Sequence, residues 1–310
     1  MTSFLPEGSR INTPANISAL SSYEHMRRAL DSGAILEAKA ALCDHEHNLI
    51  VNLPCMRGII PRDEGAVGIR EGTVRDIAII SRVGRTVCFK ITDIYTDESG
   101  RLTALLSRAE AQRSCIDNYI SGLTAGDVIP ARISHLEPFG AFCDIGCGVV
   151  ALMPIDTISV SRIEHPDERF AVGMKIFAVI KSRVGTRVTL SHKELLGTWA
   201  ENAERFSVGE TVTGVIRSIE NYGAFVELTP NLAGLAELKD NLGVGDTAAV
   251  YIKSIIPQKM KIKLIIIDSF HQHIEPDVPE YFITDGHIDR FVYSPKESGK
   301  YIYTDFSTEA

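Results

Sequence analysis

An internal repeat constrains this chain more than any other feature of its sequence. GDVIPARISHLEPFGAFCDIG begins at Gly126 and GETVTGVIRSIENYGAFVELT at Gly209. Gly126 aligns with Gly209 and Phe142 with Phe225, each at an offset of 83 residues. Both copies open on Gly-acid, run through an alternating strand, and reach an aromatic-Gly-Ala-Phe turn into a second strand. A short third strand follows (149–153, and Leu232–Ala236), then a connection. A Gly-led fourth strand (174–183, 247–255) and a fifth ending in an apolar run complete each copy. Five short strands alternating inward and outward predict a small closed barrel. The first of these copies uses about twenty residues between strands three and four; the other uses fewer, which predicts a trimmed connection.

A fainter copy lies upstream. ILEAKAALCDHEHNLIVNLPCMRGIIP supplies three strands, and TVCFKITDIYTDESGRLTALLSR supplies two more joined through Gly100-Arg101. Residues 67–84 read as an insertion that adds strand structure of its own. Three connectors read as helices: 16–30, opening on Asn16 as N-cap and ending before Asp31-Ser32-Gly33, then 108–120 and 193–206. The last contains the sole tryptophan, Trp199, which with Leu195, Leu196 and Phe206 gives an apolar face and reads as packing between barrels. The expected architecture is mainly β: three tandem five-stranded barrels joined by short α-helices, the first divergent. Its parts are a helical lead-in (1–33), a first barrel with insertion (34–108), a helical linker (109–125) and a second barrel (126–192). A second linker (193–206), a third barrel (207–268) and an acidic tail or hairpin (269–310) follow.

Composition narrows the function. The chain has 310 residues, 45% hydrophobic and 23% charged, as expected of folded domains. No run approaches the ~20 apolar residues of a membrane helix, and the first residues lack a secretion-signal pattern, so a cytoplasmic location is expected. The six cysteines form no CxxC pair and read as reduced, half-buried thiols. Net charge is −8, yet residues 271–310 hold eight acids (Glu275, Asp277, Glu280, Asp285, Asp289, Glu297, Asp305, Glu309) against three bases (Arg290, Lys296, Lys300). The rest of the chain is nearly balanced and can carry a basic face locally.

Strand parity locates that face. Ala141, Cys143 and Ile145 alternate inward in the second barrel, as do Ala224, Val226 and Leu228 in the third. Phe142 and Phe225 then point outward beside Asp144 and Glu227, which predicts two exposed aromatics suited to stacking on bases. Phe139 and Tyr222 have the opposite parity, but Gly140 and Gly223 permit a bend that re-aims them to the same face; otherwise they plug the barrel end. Lys259, Lys261 and Lys263 alternate with apolar residues and are expected on one strand face. Lys181, Arg183 and Arg187 bracket the turn between strands four and five of the second barrel. Phosphate contacts from such groups make binding salt-dependent.

The two repeat segments, with GIIP, ISRVG, KELLGTWAENAERFSVGE and PNLAGLAELK, resemble the RNA-binding domain of ribosomal protein S-one, in the short form found in clostridial-type bacteria. The resemblance implies OB-fold barrels that hold single-stranded RNA through two aromatics, a histidine, an aspartate and an arginine. It carries the aromatic positions onto Phe139 and Phe142, and onto Tyr222 and Phe225. The arginine position falls on Arg187 and Lys261 and, as first-barrel contacts, on Arg101 preceded by Asp97. Departures are several. The histidine position holds Pro154, Glu237 and Pro61, and the aspartate is replaced by Arg183 or Pro257. The first-barrel aromatics become His47 and Ile50, which implies lost stacking and a docking role.

The resemblance thus implies a single-stranded RNA partner, with the small ribosomal subunit as a second partner, and neither a membrane nor a small-molecule substrate. No cofactor or metal is expected, and no catalysis: the nine histidines are dispersed, and no HExxH or phosphate-cradling Gly loop occurs. The rival reading keeps the barrels but makes the chain a protein- or ribosome-docking adaptor with little RNA affinity. The acidic tail, the stripped first barrel and Glu237 favour it.

Overall fold

The computed structural model describes residues 4–271 and 278–307. His273, Glu275, Pro276, Asp277 and Glu309 lie outside the described residues. Two compact units divide the chain: residues 1–122 with 144–150, and residues 123–143 with 151–310.

The lead-in forms two helices, α1 (Pro14–Leu20) and α2 (Tyr23–Ser32), rather than one. The break is local chemistry. Ser22 adopts an extended conformation and its hydroxyl accepts from the His25 N–H, starting a new helix. The first cap is Thr13, with Pro14 in the first turn, and not Asn16, whose buried side chain instead brackets Glu37 through both its amide groups. Gly33 ends α2 in the left-handed conformation at φ 62°.

The first barrel follows as β1 (Leu36–Cys43), β2 (Leu49–Asn52) and β3 (Arg57–Ile60). The insertion then contributes a single helical turn, α3 (Ile77–Ile80), and no strand among the described residues, contrary to expectation. Its apolar residues come as a run, Ile77-Ala78-Ile79-Ile80, without the alternation a half-buried strand needs, and Ile79 alone is buried. β4 (Thr86–Thr96) and β5 (Leu102–Ser107) close the barrel in the order β1-β2-β3-β5-β4. All neighbours are antiparallel except β3 and β5. Helix α4 (Arg108–Asn118) starts on Ser107, whose hydroxyl accepts from the Glu110 N–H.

The second barrel comprises β6 (Val128–Glu137), β7 (Gly140–Asp144), β8 (Val150–Pro154), β9 (Lys175–Val184) and β10 (Arg187–Ser191). The linker after it is a 3₁₀ turn (Lys193–Leu196) and a short α5 (Trp199–Ala203), separated at Gly197. β11 (Thr211–Glu220), β12 (Gly223–Thr229), β13 (Leu232–Ala236), β14 (Thr247–Ile256) and β15 (Lys261–Phe270) make the third barrel. Both repeat the strand order of the first, closed by a parallel contact between third and fifth strands. Three closed five-stranded barrels are therefore present.

In the second unit one apolar core runs through the linker. Leu195 and Trp199 are buried in it together with Val179 of β9 and with Ile216, Val226, Val250 and Leu264 of the third barrel. The last described residues join this core too. β16 (Arg290–Val292) pairs with β17 (Tyr303–Asp305), and Ile288, Phe291, Tyr293 and Phe306 are buried. The 20-residue connection between β8 and β9 supplies polar links. Arg169 and Arg217 both bond Glu227, and Arg217 also bonds Glu168. A hydrogen-bond chain ties Tyr281 to the second barrel: the Phe177 N–H donates to the Tyr281 hydroxyl (3.2 Å), which faces His192 Nε2 (3.0 Å), while His192 Nδ1 faces the Ile158 carbonyl (2.9 Å). That network assigns the proton to Nδ1, and burial pushes the imidazole down to about 4. The thiols are more varied than half-buried: Cys88, Cys115, Cys143 and Cys147 are buried, Cys43 is intermediate and Cys55 exposed.

Candidate nucleic-acid interface

The β-hairpin turn between strands one and two builds the same aromatic pair in the second and third barrels. Phe139 and Phe142 meet edge to face, ring centroids 5.9 Å apart at 90°. Tyr222 and Phe225 repeat this at 6.2 Å and 89°. Glycine makes the arrangement possible. A Cβ on Gly140 would lie 2.4 Å from the Met153 carbonyl oxygen, and one on Gly223 would lie 2.5 Å from that of Ala236. The glycines let each turn pack directly against the backbone of the third strand.

The parity reading expected Phe142 and Phe225 as exposed rings and left Phe139 and Tyr222 either re-aimed by the glycine bend or plugging the barrel end; the structure opens Phe139 and Tyr222 more than their partners. Phe139 (56% exposed) and Tyr222 (69%) are the open members, while Phe142 and Phe225 are half-buried. The acids beside them misled. Asp144 is buried, accepting N–H bonds from Glu7, Gly146 and Gly148, and burial beside Glu7 pushes its carboxyl up to about 7. Glu227 is buried between two guanidiniums. A paired or bonded acid can be buried, so an acidic neighbour does not mark an open face.

Strand register places cations near one pair. Phe225 lies opposite Leu235 on β13, Leu235 opposite Lys263 on β15, and Lys263 opposite Ser254 on β14. Two strand spacings separate Phe225 from Lys263, roughly 10 Å. Lys261 and Lys263 are exposed on one face of β15, continued by Ile265 and Ile267. Lys259 is not on that face: it lies in the 3₁₀ turn Pro257–Lys259, because Met260 takes a left-handed conformation (φ 49°) that breaks the strand before it. In the second barrel the row reads Leu152, Thr189, Ser182, with no cation at the Lys263 position. Lys181, Arg183 and Arg187 are exposed around the β9–β10 turn, and Arg183 is held by the carbonyls of Leu123 (3.0 Å) and Gly185 (3.3 Å).

The first barrel has no such site. Ile50 is buried, and His47 sits in the β1–β2 turn at φ 64° with Nδ1 3.4 Å from Asp76. Asp97 accepts from the Ser99 hydroxyl and from the backbone of Ser99 and Arg101, which holds its carboxyl below the usual range and fixes the β4–β5 turn. Arg101 is exposed and bonds the Ser99 hydroxyl. One residue of the second barrel escaped the sequence reading. His135 stacks on Phe142 at 6.3 Å and 25°, with Nε2 2.7 Å from Glu137. The repeat held the signal, since 83 residues on is Ser218, which lies opposite Phe225 in the register.

A family model described as S1 RNA binding domain matches residues 123–193. Residues 123–193 are therefore similar to an S1 domain. The "Small ribosomal subunit protein bS1" of Staphylococcus haemolyticus is 30% identical over 183 residues, 57% of this chain and 44% of that one. The protein of the same name from Staphylococcus aureus (strain COL) is 30% identical over 185 residues, 58% and 45% of the respective chains. The chain thus spans less than half the length of these curated relatives. Among solved structures, a multidomain protein with nucleic acid binding domains from Streptococcus pneumoniae aligns over 78% of this chain and 76% of its own, at 13% identity and a TM-score of 0.26. The S1 match supports RNA binding of the S1 type. No helix among the described residues is long and apolar enough to cross a membrane.

Proposed function

We propose that the second and third barrels hold single-stranded RNA on their aromatic and basic faces, with mRNA in translation as the strand bound. The observation that carries this is the edge-to-face aromatic pair built twice, on equivalent hairpins, with one ring of each pair open to solvent. Each open ring offers a stacking surface of roughly 1–3 kcal/mol per base. Lys261 and Lys263 beside one pair, and Lys181, Arg183 and Arg187 in the barrel of the other, supply phosphate contacts. Aromatic and cationic groups of this kind hold bases and phosphates without activating a nucleophile, so the role is binding and not catalysis. The names of the relatives support the small ribosomal subunit as partner and the cytoplasm as location.

The test is fluorescence anisotropy with a labelled unstructured RNA of about 20 nucleotides at two salt concentrations. Replacing Tyr222 and Phe225 with alanine should weaken binding at least about tenfold. Replacing Lys261 and Lys263 with alanine should lower the salt slope by about 1.4. Binding indifferent to salt and to all four residues would sink the reading. A second role, protein docking through the first barrel, is favoured by the insertion, where Ile77, Ile80 and Val83 are exposed together.

A further inference from the structure

The C-terminal hairpin carries more than its anchoring needs. Its inner side is fixed: Phe291, Tyr293 and Phe306 are buried, and the Tyr293 hydroxyl donates to the Asn231 carbonyl at 2.5 Å. The Tyr293 carbonyl accepts the Trp199 N–H (3.0 Å), and the Thr304 hydroxyl donates to Glu194 (2.8 Å). The same hairpin exposes Tyr301 (62%), Ile302 (48%) and Tyr303 (48%) in succession. The two tyrosine rings lie 5.1 Å apart, tilted by 40°, and the Arg290 guanidinium sits 4.3 Å from the Tyr303 centroid and 5.6 Å from that of Tyr301. Three adjacent large side chains left in water make no contribution to the core, and such a patch marks a binding surface.

Charge selects the occupant. Most acids of the C-terminal segment lie before the hairpin, whereas residues 290–305 hold Arg290, Lys296 and Lys300 against Glu297 and Asp305. The Gly299 N–H donates to the Gln258 carbonyl (3.3 Å). That bond sets the loop of Lys296 and Lys300 against the turn that carries Lys259 and leads into Lys261 and Lys263. Aromatic faces with a guanidinium over them, itself 4.0 Å from Asp305, beside a lysine-bearing loop tethered to a second lysine-bearing turn, match the bases and phosphates of a single strand.

We propose that Tyr301, Tyr303 and Arg290 form a further stacking platform, which takes up bases of a strand leaving the third barrel past the lysine turn. This rests on the RNA-binding reading above. The test compares labelled oligouridine of about 5 and about 20 nucleotides on the full chain, the shorter being within the site size of a single barrel. Replacing Tyr301 and Tyr303 with alanine should weaken the 20-mer at least about fivefold and leave the 5-mer within about twofold. Phenylalanine at both positions should restore the 20-mer, because the rings remain. An unchanged 20-mer in the alanine variant, while Tyr222→Ala with Phe225→Ala still weakens it, would overturn the platform alone and leave the hairpin as a protein-docking patch. Equal loss in the phenylalanine and alanine variants would overturn it as well, pointing to folding. If the wild-type chain binds neither oligomer, the RNA-binding reading itself fails.

Discussion

Acid should loosen the second unit through one histidine. His192 is fully buried, faces the Ile158 carbonyl through Nδ1 and accepts from the Tyr281 hydroxyl at Nε2. Its folded value near 4 compares with 6.5 for a free imidazole. The unfolded chain therefore binds a proton that the folded chain refuses. This contribution to stability is complete above pH 6.5 and is lost as the pH falls toward 4. At 1.36 kcal/mol per pKa unit, the loss between pH 7 and pH 5 is about 2 kcal/mol, a large part of the ~5–15 kcal/mol that holds a domain together. Urea unfolding followed by the fluorescence of Trp199, buried in this unit, measures it. His192→Asn is the comparison, since its amide can still donate to Ile158 and does not titrate. The wild type should lose about 2 kcal/mol more than this variant between pH 7 and pH 5. His287 works in the opposite sense, its value raised by the bond to Asp127, and cancels in the comparison. Equal losses in the two proteins would refute the reasoning.

Two further outcomes follow from the geometry. Gly223→Ala should destabilise the third barrel by roughly 1–3 kcal/mol, because the new Cβ meets the Ala236 carbonyl oxygen at 2.5 Å and Leu235 at 2.9 Å; urea unfolding checks this, and an unchanged midpoint contradicts it. Glu227→Gln should destabilise the second unit by about 3–5 kcal/mol, since Arg169 and Arg217 lose the carboxylate they share. Thermal unfolding of the variant reads that loss.

Much of the fold was legible because the repeat fixed the strand order of two barrels and the Gly-Ala-Phe turns fixed their hairpins. The first barrel was legible in its strands but not in its insertion, where an apolar run lacks a period. The split of the lead-in helix hinged on Ser22, one of several serines able to cap. At the candidate site, the sequence reading named the aromatics that the structure sets edge to face, but expected Phe142 and Phe225 to be exposed where the structure half-buries them. Parity along one strand cannot register Arg169, which lies 58 residues before the Glu227 it buries. His135 was hidden for a similar reason: its neighbour Phe142 lies across a hairpin, and only the register makes them adjacent. Lys259 was lost to a backbone conformation at Met260 that residue type does not announce.

The links between the second and third barrels have a mechanical consequence. Their core continues through Trp199, Arg169 and Glu168 reach Arg217 and Glu227, and the Ser161 N–H donates to the Pro230 carbonyl. Opening either barrel strips the other of apolar cover and of ion partners, so the pair should melt in one cooperative transition. A strand lying across both would meet two aromatic pairs at a set separation, as marks on a stiff rule. If RNA spans both barrels as proposed, a junction held by these contacts would keep the two aromatic pairs at a steadier spacing than a free linker would.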